Sequence, residues 1–272
     1  MKRALFILSI LLFACSAFSQ EKDSAQIRVM YRYKAKNFAD REGRSEDLLY
    51  LDAGRNHSVF YSRRTFLLDS AKEALTARGL SPEEVFLGTK GMKQGIQERI
   101  IKNYSSGHIT VFSKVLTQKY WYTDRMDSVK WDLTDDTLTV GSYFCYGAKC
   151  TFRGREWQAW YTPEIPSMDG PWKFTGLPGL ILKAEDSAKE FTFESIGVVH
   201  LVPKVGIVNP LESNKSGYIE TDRKTYLQIK RKSVEDIKGS ITSQGMTILS
   251  VVDENGVETQ IPKRVMNSIE LQ

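Results

Sequence analysis

Ala25-Gln26-Ile27-Arg28-Val29-Met30-Tyr31-Arg32-Tyr33-Lys34-Ala35-Lys36 places Ile27, Val29, Tyr31 and Tyr33 at every second position, with Arg28, Met30 and Arg32 between them and Lys34 after. Side chains two apart in a strand share a face, so this alternation predicts a half-buried β-strand. The same pattern recurs downstream. Asp47–Tyr61 reads as two strands around Asp52-Ala53-Gly54-Arg55-Asn56, and Ile100-Ile101 and His108–Val115 flank the turn residues Asn103-Tyr104-Ser105-Ser106-Gly107. Tyr120–Tyr122, Val129–Leu133, Thr137–Tyr146, Trp157–Tyr161, Leu180–Ala184 and Glu190–Leu201 follow as short extended runs. Asp253-Glu254-Asn255-Gly256 carries a hairpin signal between Ile248-Leu249 and Val257–Ile261.

Three segments read as helices. Phe66–Arg78 has helical composition and stops at Gly79. Ser81-Pro82-Glu83-Glu84 has the form of a helix start, with Ser at the N-cap, Pro in the first turn and acids that complement the dipole. Thr221–Ile237 reads as a polar surface helix. Many closely spaced strands with few helices predict a mainly β, antiparallel fold: a curved sheet, an open barrel or a sandwich with two or three accessory helices.

The N-terminus predicts export. Met1-Lys2-Arg3 precedes an apolar run from Ala4 to Ala14, too short to span a bilayer, which needs about 20 apolar residues. Ala17-Phe18-Ser19 suits cleavage before Gln20, which makes residues 1–19 a signal peptide and 20–272 one β-rich domain. Leu12-Phe13-Ala14-Cys15-Ser16 is a rival lipoprotein box that would tether the chain through Cys15. The expected location is the periplasm or the outer membrane, with no transmembrane segment in the mature chain. Removing Lys2 and Arg3 lowers the net charge from +5 to +3. Arg63-Arg64 and Lys230-Arg231-Lys232 are short and read as solvated helix faces, so nucleic acid is not an expected partner.

After cleavage at Gln20, Cys145 and Cys150 remain. On one straight strand they would lie roughly 16 Å apart at about 3.3 Å per residue. A disulfide needs Cα atoms within about 7 Å, so it would require Tyr146–Lys149 to turn. Metal binding is not expected of this pair, which has no second ligand pair, nor of His57, His108 and His200, which have no ligand spacing. Nothing in the sequence implies a cofactor: it has neither a phosphate-binding glycine loop nor a Gly-x-Ser-x-Gly elbow.

Cys145–Ala184 differs from the rest, holding three of the five Trp (Trp157, Trp160, Trp172) and four of the eight Pro (Pro163, Pro166, Pro171, Pro178). Proline fixes φ and glycine frees it, so this density marks a loop with a dictated path. Arg153-Gly154-Arg155 reads as a turn, Leu177-Pro178-Gly179-Leu180 as a type II turn, and Leu180–Leu182 as a buried strand. Gly170–Gly176 reads as a rigid aromatic corner.

The run Gly176-Leu177-Pro178-Gly179-Leu180-Ile181 spells the name motif of the GLPGLI family, secreted proteins of Bacteroidota, and the chain resembles that family. The resemblance extends through Ala159–Pro166 and Asp169–Phe174, and upstream to Cys145-x-x-Ala148 and Phe152-Arg153-Gly154-Arg155. Cys150 is not a family position, which weakens the disulfide. The family is described as of unknown function. The resemblance implies export, and the family's members are often encoded near outer-membrane TonB-dependent receptors, which is association rather than mechanism.

Three functional readings follow, the last being a purely structural accessory to an outer-membrane transporter, with no small ligand. In the first, the protein binds a ligand or partner through Trp160, Tyr161, Trp172 and Phe174, with Arg153, Arg155 and Lys173 adding charge. Its ligand would be a small molecule or peptide, and its partner an outer-membrane transporter or another envelope protein. Against this stands the use of the same aromatics as core. In the second, an envelope hydrolase draws a carboxylate pair from Glu156, Glu164 and Asp169, against their use in ordinary surface ion pairs.

Overall fold

The computed structural model describes residues 23–126, 129–212, 217–251, 257–261 and 263–271. The segment proposed as a signal peptide, with Cys15, lies outside these residues, as does the Asp253–Gly256 turn. The expected strands on its flanks, Ile248-Leu249 and Val257–Ile261, are not formed among the described residues, although Thr259 N donates to Val251 O at 2.8 Å.

The described residues form twelve strands in one sheet: β1 (Ser24–Ala35), β2 (Ser45–Ala53), β3 (His57–Ser62), β4 (Arg99–Asn103), β5 (His108–Val115), β6 (Gln118–Arg125), β7 (Asp132–Val140), β8 (Tyr143–Phe152), β9 (Arg155–Thr162), β10 (Leu180–Asp186), β11 (Phe191–Gly206) and β12 (Tyr218–Glu220). The order across the sheet is β12-β6-β5-β4-β3-β2-β1-β11-β10-β9-β8-β7. The sheet is open, with β12 and β7 at its edges. Its pairs are antiparallel except β12 on β6.

Alternation selects the inner face. One row of partners crosses seven strands: Val198, Val29, Leu51, Phe60, Ile100, Val111, Tyr122. All but Val198 are buried. Each such side chain gains about 1.5–3 kcal/mol on leaving water, so a one-residue register slip would expose the whole row. Tyr33 stacks on Phe193 at 4.8 Å, and Phe60 meets Phe193 edge-on at 6.1 Å. On the outer face a smaller cluster, Val59, Ile101 and Phe112, is covered by Tyr61, Trp121, Ile207, Leu211 and Tyr218.

Four α-helices accompany the sheet among the described residues: α1 (Arg63–Ala77), α2 (Pro82–Gly88), α3 (Arg223–Glu235) and α4 (Ile237–Ser243). α1 starts on Ser62, whose hydroxyl accepts from Thr65 N at 3.1 Å, and Gly79 follows its end at φ +82°. Ser81 and Glu84 form the capping box of α2. The expected surface helix is α3, but it buries Tyr226 against the inner face. The unexpected helix α4 starts on its own cap, Asp236, whose carboxylate accepts from Gly239 N at 3.0 Å.

Four expectations need correction. The run Thr137–Tyr146 is two strands, β7 and β8, separated at Gly141 with φ +62°. Val129–Trp131 precede β7 rather than belonging to it. Leu177–Leu180 is not a type II turn: Gly179 N donates to Leu177 O at 2.8 Å, and Leu180 N instead reaches Ile165 O. Glycine is needed at 179 because a Cβ there would stand 2.2 Å from Thr162 O. Finally, Cys145 and Cys150 are free, buried thiols on the continuous strand β8. Tyr146–Lys149 pairs in unbroken register with β9, so it makes no turn to bring the sulfurs together. Burial pushes the Cys145 thiol up, and that of Cys150 up to about 12.

Candidate functional site

Between the inner face and α3 lies a cavity of about 430 Å³. Its apolar walls include Tyr33, Phe60, Val111 and Phe193 from the sheet, Leu227 from α3 and Trp172 from the corner. Helix α3 is held over it by Tyr226, whose hydroxyl lies 2.8 Å from Ser113 Oγ and 2.9 Å from Glu98. Lys230 of the same helix pairs with Glu98. Burial pushes the Glu98 carboxyl up, but the Lys230 ammonium and the Tyr226 hydroxyl outweigh it and hold the group below the usual carboxylate range.

The aromatic corner forms one side of this cavity. Trp172 has φ +53°, uncommon for a bulky residue and costly by about 1–3 kcal/mol. Surrounding contacts fix it there: Trp172 lies 5.1 Å from Phe174, 5.4 Å from Phe152 and 5.6 Å from Trp157. Phe174 is fully buried in the same cluster, 4.9 Å from Trp157. The corner is pinned to the sheet by Lys102 of β4. Its ammonium donates to Asp169 Oδ1 at 2.6 Å, Gly170 O at 2.6 Å and Phe174 O at 3.0 Å, and Tyr104 donates to the other Asp169 oxygen. Both members of this ion pair are fully buried.

A strap, residues 265–271, closes the cavity on another side, with Met266–Glu270 in its lining. Ala39 N donates to Val265 O, Asn267 N to Asn37 O and Leu271 N to Arg153 O, at 2.8–2.9 Å. Side chains of the family-like motifs hold the rest. Arg155 Nη1 meets Asp186 at 2.9 Å and Glu190 at 3.0 Å, while its Nη2 reaches Asn267 Oδ1 at 2.6 Å and Ser268 O at 2.8 Å. Lys173 Nζ lies 2.6 Å from Glu270 and 3.0 Å from both Asp124 and the Tyr122 hydroxyl. Burial lowers the Lys173 pKa, but Tyr122, Glu270 and Asp124 more than reverse this and raise it above the usual lysine range. Arg153 reaches Asp124 at 2.5 Å and Glu270 at 3.9 Å, and Arg223 reaches Glu270 at 3.0 Å. Arg153-Gly154 is the two-residue turn from β8 to β9, with φ +54° and +80°.

The sequence-derived candidates therefore divide. Trp172 and Lys173 line the cavity. Phe174, Arg153 and Arg155 support it from behind. Trp160 and Tyr161 lie elsewhere on β9: Trp160 stands under the Lys183 ammonium at 4.7 Å, and Tyr161 beside Tyr146. All four aromatic candidates are buried, so they form no exposed platform. Gly176–Ile181 closes the corner and starts β10, with Leu177, Leu180 and Ile181 buried. Of the carboxylates, Asp169 is bound to Lys102 and Tyr104, whereas Glu156 and Glu164 are exposed. No group of three or more His, Cys, Asp or Glu able to hold a metal occurs among the described residues. None of the described helices is long and apolar enough to cross a membrane. Sequence reading missed Lys102, Glu98, Tyr226 and Glu270. The apolar side chains Tyr226, Leu227 and Ile229 on one side of α3 were a signal for its role.

Residues 153–183 match a family model described as "Protein of unknown function (Porph_ging)". That stretch contains Arg153, Arg155, Lys173 and the Gly176–Ile181 run. The family is associated with Bacteroidota, and its name differs from the GLPGLI name. No curated protein matches the chain. Structures of PNGF-II in P21 and C2 space groups are similar at a TM-score of 0.50 and 13% identity, over 78% of this chain and 34% of theirs. This is a likeness of fold, and the chain spans about a third of their length. A LolA superfamily protein of Nitrosomonas europaea is matched at a TM-score of 0.25 and 11% identity, over 72% of this chain and 91% of that one.

Proposed function

We propose that this chain is an exported cell-envelope protein that holds an apolar or amphipathic small molecule between its sheet and α3. The observation that carries the reading is the cavity, about 430 Å³ and walled mainly by aromatic and aliphatic side chains. Small-molecule sites of roughly 300–1,000 Å³ have this composition, with a few fixed polar groups. Lys173 and the Glu98–Lys230 pair supply such groups here. Export rests on the sequence of residues 1–19. An outer-membrane transporter is the partner we propose for the chain, on the association that the GLPGLI resemblance implies. The hydrolase reading is weaker, because Asp169 is committed to holding the corner.

Titration with Nile red, a neutral apolar dye, tests the cavity. Saturable binding at one site per chain is expected. Filling the cavity with Leu227→Trp or Val111→Trp should weaken it by about tenfold or more, as lost apolar contact translates into affinity. Dye binding that does not saturate, or that both filled variants retain unchanged, would overturn the reading.

A further inference from the structure

The strap places a carboxylate of the chain's own in a cationic recess at the cavity wall. Glu270 is buried, with Lys173 at 2.6 Å, Arg223 at 3.0 Å and Arg153 at 3.9 Å. Asp124 is a second acid in contact with this group, 3.0 Å from Lys173 and 2.5 Å from Arg153. Lys173 and Arg153 thus both draw on the carboxylates of Asp124 and Glu270. Without Glu270, both would be left with the Asp124 carboxylate, in a recess that opens onto apolar walls. Lys173 is 1% exposed and lies 5.0 Å from the Tyr122 ring centre and 5.9 Å from that of Trp172, so an anion beside it would also touch aromatic surface.

We propose that the ligand is a long-chain carboxylate, and that Glu270 occupies its head-group position in the ligand-free protein. The ligand carboxylate takes the place of the Glu270 carboxylate against Lys173 and Arg223, and its aliphatic chain lies along Tyr33, Phe60 and Phe193. The exchange needs only the Glu270 side chain to swing aside, because the strap's tethers at Asn37, Ala39, Arg153 and Arg155 are made by its neighbours Asn267, Val265, Leu271 and Ser268. No bond is made or broken; one charge-assisted pair is exchanged for another of the same kind. This inference rests on the reading that the cavity binds an apolar ligand.

The test is displacement of Nile red by a saturated fatty acid and by the alcohol of equal chain length, on the full chain and on Glu270→Ala. Both ligands should displace dye from the unaltered protein. In Glu270→Ala the fatty acid should gain about tenfold in affinity, the scale of a charge-assisted contact, while the alcohol changes little. The fatty acid should also raise the melting temperature of Glu270→Ala more than that of the unaltered chain. If the alcohol binds but acid and alcohol respond alike to the substitution, the head-group inference is wrong and the cavity reading stands. If neither displaces dye, both fall. Should Glu270→Ala fail to fold, Glu270→Gln keeps the shape while removing the charge, and the same comparison applies.

Discussion

The Lys173 ammonium and the Glu270 carboxylate stand 2.6 Å apart, joining the aromatic corner to the strap across the cavity wall. Neither charge could be buried alone without a large desolvation cost. The corner and the strap are therefore stable together.

Lys173→Met removes the cation and leaves Asp124 and Glu270 facing Tyr122 and the two arginines. Losing one member of a buried ion network costs about 3–5 kcal/mol. Urea unfolding should show a loss of that size, with hydrogen exchange rising first in the strap, at Asn267 and Leu271. A loss below about 1 kcal/mol, the scale of a surface pair, would show that the network contributes little.

Gly179→Ala tests the passage from the corner into β10. Its Cβ would meet Thr162 O at 2.2 Å, and φ there is +154°. Backbone strain and overpacking each cost about 1–3 kcal/mol, so the variant should lose at least about 2 kcal/mol. Gly107→Ala is the control: its φ is also positive, but nothing lies within 4 Å of its Cβ site. It should lose clearly less in the same thermal melts.

Acid should loosen α3 from the sheet. The folded pKa of Glu98 is lowered from its ordinary 4.5, so its contribution to stability is present above pH 4.5 and lost as the pH falls through the folded value. Asp124 behaves in the same sense: burial pushes it up, but Lys173 and Arg153 outweigh this and hold it below 3.8. The melting temperature should fall below pH 4.5, and Glu98→Gln should flatten that fall while lowering the plateau near neutral pH. An identical acid limb in the variant would exclude Glu98 as a contributor.

Period-two alternation from Ala25 onward made most of the sheet legible in the sequence, because each inner-face row loses its burial if the register slips. The helix start at Ser81 depends on local capping and was readable, whereas α1 was expected from Phe66 and its cap at Ser62 was not recognised. The break at Gly141 was not, since Thr137–Tyr146 has strand composition on both sides of it. Lys102 was illegible for a different reason. A lysine in an extended run ordinarily faces solvent, and its burial depends on Asp169, 67 residues away. The sequence reading named Arg153, Arg155 and Lys173 as charges for a ligand-binding surface. Their partners, Asp124, Asp186 and Glu270, are distant in sequence and unmarked by spacing, so a network that clamps the strap resembled free charge available to a ligand. The aromatics are a similar case: composition marked the corner, but only the packing of Phe152, Trp157, Trp172 and Phe174 shows that it is core on one side and cavity wall on the other.

The most direct test of the central claim is non-denaturing mass spectrometry of the full chain and of Leu227→Trp, each incubated with a fatty acid and with its alcohol. The account expects one adduct per chain with the unaltered protein and loss of that adduct in the filled variant. Equal adducts in both proteins, or none in either, would contradict a ligand-holding cavity beneath α3.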